Sequence, residues 1–227
     1  AITRTLALFE YLPDRDELNR KAQELELLEI FHRNWLSEEV SMLYEGVRPA
    51  HIERMRVLSD ELKIVECEIP IFLCEWLMQY YAQKRSLHTC IRLARSFIPP
   101  DTKARYAVAI EANRMLYMVH ADKGEWRETI RLCNCVVRVD GTRHDSLYDQ
   151  EKHHENTYRY AGTDPGSFTW NVLAVAYLKV GELHKSLLCI DRSYELAYSF
   201  DHPLTLALAY SSRLSVLFEL KQWDAIH

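Results

Sequence analysis

The residues from Gly162 to Pro203, GTDPGSFTWNVLAVAYLKVGELHKSLLCIDRSYELAYSFDHP, decide the fold of this chain. Trp170, Leu173, Ala174 and Tyr177 recur at three- and four-residue steps and therefore share one stripe of a helix. Gly181 follows four residues after Tyr177 and turns the chain. Ser186 and Ile190 stand nine and thirteen residues after Tyr177, and a small residue at Ala174 or Ser186 lets the second helix approach closely. One helical pair of this size cannot bury its own apolar face, so the reading requires neighbours of the same kind.

Composition agrees with a helical chain. Six glycines and seven prolines in 227 residues are few, which favours long helices over strands and turns. The proportions of apolar (48%) and charged (27%) residues are those of an ordinary soluble domain. A net charge of −5 supplies no basic field, so neither nucleic acid nor an anionic membrane surface is an expected partner. No apolar run reaches the roughly 18 residues of a membrane span. The N-terminus lacks the pattern of a secretory signal, and none of the six cysteines forms a CxxC motif. A reducing, cytoplasmic setting is expected. The chain starts without Met and stops in what reads as the first residues of a helix, so it reads as a fragment of a longer protein.

Working outward, a helix is expected from Glu17 to Trp35, with Leu18, Ala22, Leu25, Leu28 and Phe31 or His32 on its inner stripe. Ser37-Glu38-Glu39 then starts another. A further helix covers Ala50 to Val65 with Ile52, Met55 or Arg56, Leu58 or Ser59, and Leu62 facing inward, and Glu68-Ile69-Pro70 breaks the pattern. Helices follow at 71–83, 86–97, 102–121, 126–139, 167–200 (a pair) and 204–220. The segment 140–166 is polar and irregular. Turn markers fall at Gly46, Arg85, Gly124, Gly181 and Lys221, at intervals of 39, 39, 57 and 40 residues. The near-equal spacing marks a repeat, with the longest interval carrying the irregular insert.

The W-x2-L-A-x2-Y stripe, the turn glycine and the small residue that follows resemble a tetratricopeptide repeat. The expected fold is all-α, an α-solenoid of antiparallel helix pairs forming a TPR-like right-handed superhelix. It is read as one domain over 1–227, with units at about 17–65, 71–98, 103–139, 167–200 and 204–227, the last truncated.

Chemistry-bearing residues are then weighed against that frame. His144, Asp149, His153 and His154 share a polar loop without metal-ligand spacing on a helical face. His120 and His202 stand beside turns and read as capping or packing groups. The cysteines lie on apolar stripes, and Cys133 and Cys135 point to opposite sides of one helix. Gly162-Thr163-Asp164-Pro165-Gly166 lacks the Lys-Ser/Thr of a phosphate loop and reads as a turn that starts a helix at Ser167. No catalytic residue, metal or cofactor is expected. Solenoids act through the wall made by successive first helices. Helical stepping places Phe72, Glu75 and Gln79 there, then Glu111, Arg114 and Met118, then Phe168, Asn171 and Val175, then Leu208, Ser211 and Ser215. Arg114 with Asn171 suits a carboxylate or a peptide backbone; alternatively these side chains are solvated or pair with Glu75 and Glu111 across adjacent helices.

Tyr148-Asp149, His153 or His154, the Gly162–Gly166 turn and His202-Pro203 are similar to a more specific family. So are Ala7–Pro13 and Ala22–Leu28 near the start. That family is the helical repeat region following the ATPase domain in bacterial multidomain nucleotide cyclases, kinases and related ATPase regulators. Ser186 and Ile190 depart from its usual small and aromatic pair. The resemblance implies a non-catalytic regulatory module of a signalling protein, which takes a peptide, a protein partner or a neighbouring signalling domain in its concave groove. The alternative it leaves open is a small-molecule sensor controlling an attached ATPase or cyclase.

Overall fold

In the computed structural model the described residues are 15–41, 48–82, 87–98, 106–137, 159–200 and 202–221. All the regular structure among them is helical: α1 (Arg15–Ser41), α2 (Pro49–Leu62), α3 (Glu68–Ala82), α4 (Leu87–Phe97), α5 (Tyr106–Asp122), α6 (Trp126–Val136), α7 (Pro165–Lys179), α8 (Leu183–Phe200) and α9 (Pro203–Glu219). A 3₁₀ turn at Val65–Cys67 precedes α3. The expected turn markers Gly46 and Arg85, the His-rich loop, Tyr148, Ala7–Pro13 and the residues after Lys221 lie outside the described residues. The chain divides into two compact units, Ala1–Thr89 and Cys90–His227.

In the first unit α1 runs unbroken for 27 residues, whereas the sequence pattern placed a new start at Ser37. No Gly or Pro interrupts Arg15–Ser41, and a Ser-Glu-Glu start signal has no effect where nothing stops the preceding helix. Helix α2 packs on α1 and α3, and α1 also touches α3. Leu27, Phe31, Met55, Leu58 and Leu62 are buried between them, so Met55 and Leu58 face inward while Arg56 and Ser59 do not. The α1–α2 seam is edged by an Arg54–Glu26 fork, both contacts 2.7 Å, and by Gln23 Nε2 donating to Glu61 at 2.6 Å. Lys63 closes α2 in the left-handed conformation, its N–H donating to the Ser59 carbonyl. Pro70 does not break the chain as expected. It lies in the first turn of α3, where the missing N–H has no intrahelical partner to lose.

In the second unit the helix contacts recur in order. Helix α6 packs on α5 and α7, α8 packs on α7 and α9, and the helices α5, α7 and α9 touch in succession. Two starts share one device. Asp164 caps α7 by accepting the Ser167 N–H at 2.6 Å, and His202 caps α9 by accepting the Thr205 N–H at 3.4 Å, each with proline at the next position. The Asp164 N–H donates to Thr205 Oγ1 at 3.1 Å, tying the two starts together. Helix α7 thus begins at Pro165, two residues before the expected Ser167.

The turns repeat as well. Gly124, Gly181 and Lys221 all have positive φ, at 73°, 83° and 55°. Each N–H bonds to the carbonyl three residues back: Ala121, Leu178 and Phe218. Glu125 and Glu182 then donate to the carbonyls of His120 and Tyr177, the double bond of a Schellman turn. Beyond Gly181 a Cβ would meet nothing within 4 Å, so the glycine serves the backbone angle alone. Between α7 and α8 the small residues do what the pattern anticipated. Ser186 Oγ donates to the Ala174 carbonyl at 2.8 Å and Ser193 Oγ to the Ser167 carbonyl at 2.8 Å, so hydroxyls bridge backbone to backbone.

Candidate functional site

The wall positions of α5 and α7 hold the densest polar chemistry in the second unit. Glu111 and Arg114 stand one helical turn apart on α5, with Arg114 Nε 2.6 Å from Glu111 Oε2, and both are buried. Arg114 Nη1 donates to Thr163 Oγ1 at 2.8 Å, and the guanidinium lies 5.1 Å above the centre of the Phe168 ring. One turn on, the buried Tyr117 hydroxyl meets Thr169 Oγ1 at 2.9 Å, and Thr169 Oγ1 also donates to the Pro165 carbonyl at 2.6 Å. A cation, a ring and two hydroxyl contacts therefore fasten α5 to the start of α7.

The pairing at Glu111 is close but poorly aligned, so neither carboxylate oxygen has a hydrogen-bond donor in good geometry among the described residues. Burial pushes the Glu111 carboxyl up to about 7, the Arg114 charge pulls it back only in part, and Asp164 pushes it further up. Burial likewise holds the Tyr117 hydroxyl far above its ordinary range. Asn171, at the position of α7 equivalent to Arg114 on α5, is buried with its Oδ1 lacking a donor among the described residues.

The expected wall residues fall into three groups. Arg114 and Phe168 are brought together, with Glu111 beside them, and Asn171 is buried on the same helix as Phe168. Met118 and Val175 are half-buried one turn along α5 and α7. Leu208 is half-buried on α9, and Ser211 and Ser215 are exposed there. In the first unit Phe72 is buried, Glu75 is ion-paired with Arg56 of α2, and Gln79 is half-buried with its Oε1 lacking a donor among the described residues. Arg114 thus does not line an open wall, and its partner Glu111 comes from its own helix rather than a neighbour. A carboxylate ligand directed at Arg114 would meet the buried charge of Glu111, so that part of the expectation does not suit the geometry. Thr163 and Tyr117 were not anticipated. The Glu-x-x-Arg spacing signalled the ion pair, but nothing local signalled a contact across 49 residues to Thr163.

The remaining candidates resolve into structural roles. His120 Nδ1 approaches Glu125 Oε2 at 2.5 Å across the α5–α6 turn, and His202 is a cap. Cys67, Cys74, Cys90, Cys133 and Cys189 are buried, whereas Cys135 is exposed and departs from the expected core role. Burial raises the thiols of Cys90 to about 11 and Cys189 to about 12, and that of Cys133 well above its usual range. Among the described residues no three His, Cys, Asp or Glu side chains converge on a metal position, and no helix is long and apolar enough to cross a membrane.

Comparison with family models, with curated proteins and with solved structures finds no match to this chain.

Proposed function

We propose that this chain is a TPR-like α-solenoid acting as a non-catalytic interaction and regulatory module of a multidomain signalling protein. On this reading it binds an extended peptide, or a segment of a neighbouring domain, along the face of α5 and α7. The observation that carries the binding face is Asn171, a buried amide whose acceptor oxygen has no donor among the described residues, with the half-buried Val175 one turn along α7 and the half-buried Met118 on α5. A peptide N–H supplies that donor when the Asn171 side chain turns toward the surface, and the two apolar side chains suit the faces of an extended chain. The recurrent order of contacts through α5–α9 and the repeated left-handed turns support the solenoid. The signalling context rests on the resemblance of Gly162–Gly166 and His202-Pro203 to the repeat regions of bacterial ATPase regulators.

The test is photo-crosslinking from a benzophenone side chain at position 175, in extract of the source cells, with the attached peptide mapped by mass spectrometry. Attachment to one defined segment, lost in Asn171→Ala, supports the face. An unchanged yield in Asn171→Ala removes it. Arg114 is not a suitable probe, because its removal disturbs the fold through Glu111.

A further inference from the structure

We infer that residues 160–163 form a proton-operated cover over α5, held down while Glu111 carries a proton and loosened when Glu111 ionises. The first helix of a solenoid pair keeps one side open to the groove. Helix α5 does not: Val108 to Tyr117 are buried without a break, over roughly three turns. Helices α6 and α7 pack on two of its sides. The side carrying Glu111 and Arg114 is met by the residues just ahead of α7. Arg114 Nη1 donates to Thr163 Oγ1 at 2.8 Å, and Tyr160, Ala161, Thr163 and Asp164 are each 3% exposed or less.

The charges beneath this cover do not balance. Among the described residues the buried Glu111 feels one buried cation, Arg114, and one buried anion, Asp164. If both carboxylates ionise, net negative charge is held out of water, which is costly. Asp164 is the one kept as an anion, because it accepts the Ser167 N–H at 2.6 Å at the positive end of α7. Neither oxygen of Glu111 receives a well-aligned hydrogen bond among the described residues, so the proton resides there. The other titratable groups in the cluster, Tyr117 of α5 and Cys133 of α6, are kept neutral by burial. Ionised, Glu111 sets a second negative charge against Asp164, the residue next to Thr163 at the foot of the cover. Burial carries the Glu111 carboxyl up to about 7, and lifting the cover returns it toward 4.5 in water. Lifting therefore releases a proton and is favoured as pH rises through neutrality. Its use rests on the peptide-binding reading: a partner that reaches Met118 gains the turns of Glu111 and Arg114 only when the cover is up. The movement itself is measured without a partner, so either reading can fail alone.

Amide hydrogen exchange of the whole chain, read by mass spectrometry with intrinsic rates divided out, tests this, with Glu111→Gln as a mimic of the protonated carboxyl. Between about pH 6 and about pH 8 the opening of residues 160–163 should rise about tenfold in the wild type and stay flat in Glu111→Gln, while α8 changes in neither. A flat wild-type profile overturns the inference. An equal rise in Glu111→Gln places the titrating group elsewhere and also overturns it. A rise of the same size in α8 means that the entire unit loosens, which overturns a local cover. Should Glu111→Gln fail to fold, the wild-type profile decides alone, with α8 as its internal reference.

Discussion

Replacing Arg114 with Met tests whether the cluster between α5 and α7 acts as one electrostatic unit. The side chain is 1% exposed, and Glu111, at 0%, is its ion-pair partner. The variant keeps most of the volume but strands a carboxylate that desolvation already penalises, and it removes the Thr163 contact and the cation over Phe168. Breaking a buried pair in this way costs about 3–5 kcal/mol. With a urea slope of about 2 kcal/mol per molar, the unfolding midpoint falls by about 2 M. The pH dependence sharpens the test. With Arg114 present the folded Glu111 titrates at about 7, above its unfolded value of 4.5. A raised carboxyl contributes fully below the unfolded value, and that contribution is lost as pH rises through the folded value, here roughly 3 kcal/mol across the window. Without Arg114 the folded value climbs further, so the variant's deficit is larger at about pH 8 than at about pH 5. Urea titrations followed by far-ultraviolet circular dichroism at both pH values measure it. The double variant Glu111→Leu with Arg114→Met should recover most of the loss, because an apolar pair of similar volume carries no desolvation penalty. A single-variant cost below about 1 kcal/mol at the higher pH, the level of an exposed pair such as Arg131–Glu128, refutes the reasoning. So does a cost that does not change with pH.

Gly181→Ala should destabilise by about 1 kcal/mol through its φ of 83° alone, with little change in folding of the neighbouring side chains; a thermal melt within error of the wild type would contradict this. Ser186→Leu should cost about 1–3 kcal/mol, since it forces α8 away from the Ala174 carbonyl, and a retained melting temperature would mean the two helices do not approach as closely as the 2.8 Å bond requires. Alkylation of the folded protein followed by peptide mapping should mark Cys135 and spare Cys133 and Cys189; equal labelling of all three would show that the buried thiols are reached in the native state.

The features legible in the sequence are those set by a residue's own backbone. Gly124 and Gly181 announce their turns because glycine tolerates positive φ, and the turn read at Lys221, where no glycine stands, has positive φ as well. Proline after Asp164 and after His202 marked two helix starts to within two residues. The same rules misplace a boundary when a signal has no structural work to do. Ser37 lies inside α1 because no residue before it ends the helix, and Pro70 lies inside α3 because the first turn needs no N–H from it.

The site was less legible, for a different physical reason. Helical stepping put Arg114 on one stripe of α5 and Phe168 with Asn171 on one stripe of α7, which requires only the 3.6-residue period, and Arg114 lies over the Phe168 ring. What those stripes face depends on which segment lies over them. Thr163, just ahead of α7, reaches Arg114 across 49 residues of chain, and Asp164 beside it adds the second negative charge that Glu111 feels. The charged pair thus became part of the joint between two helices, and its energetics follow burial instead of exposure. Asn171 Oδ1 is one of several buried polar atoms without a partner among the described residues, along with both Glu111 oxygens, Gln79 Oε1 and His120 Nε2. Along α7 and its joints the fold satisfies Tyr117, Thr169, Ser167, Ser193 and Ser186 by direct hydrogen bonds and leaves the oxygen of Asn171 buried without a donor among the described residues, so a vacancy remains at that position on α7. That vacancy is why binding is assigned to Asn171 and stability to Arg114, although stepping along the helices gave the two residues equal standing.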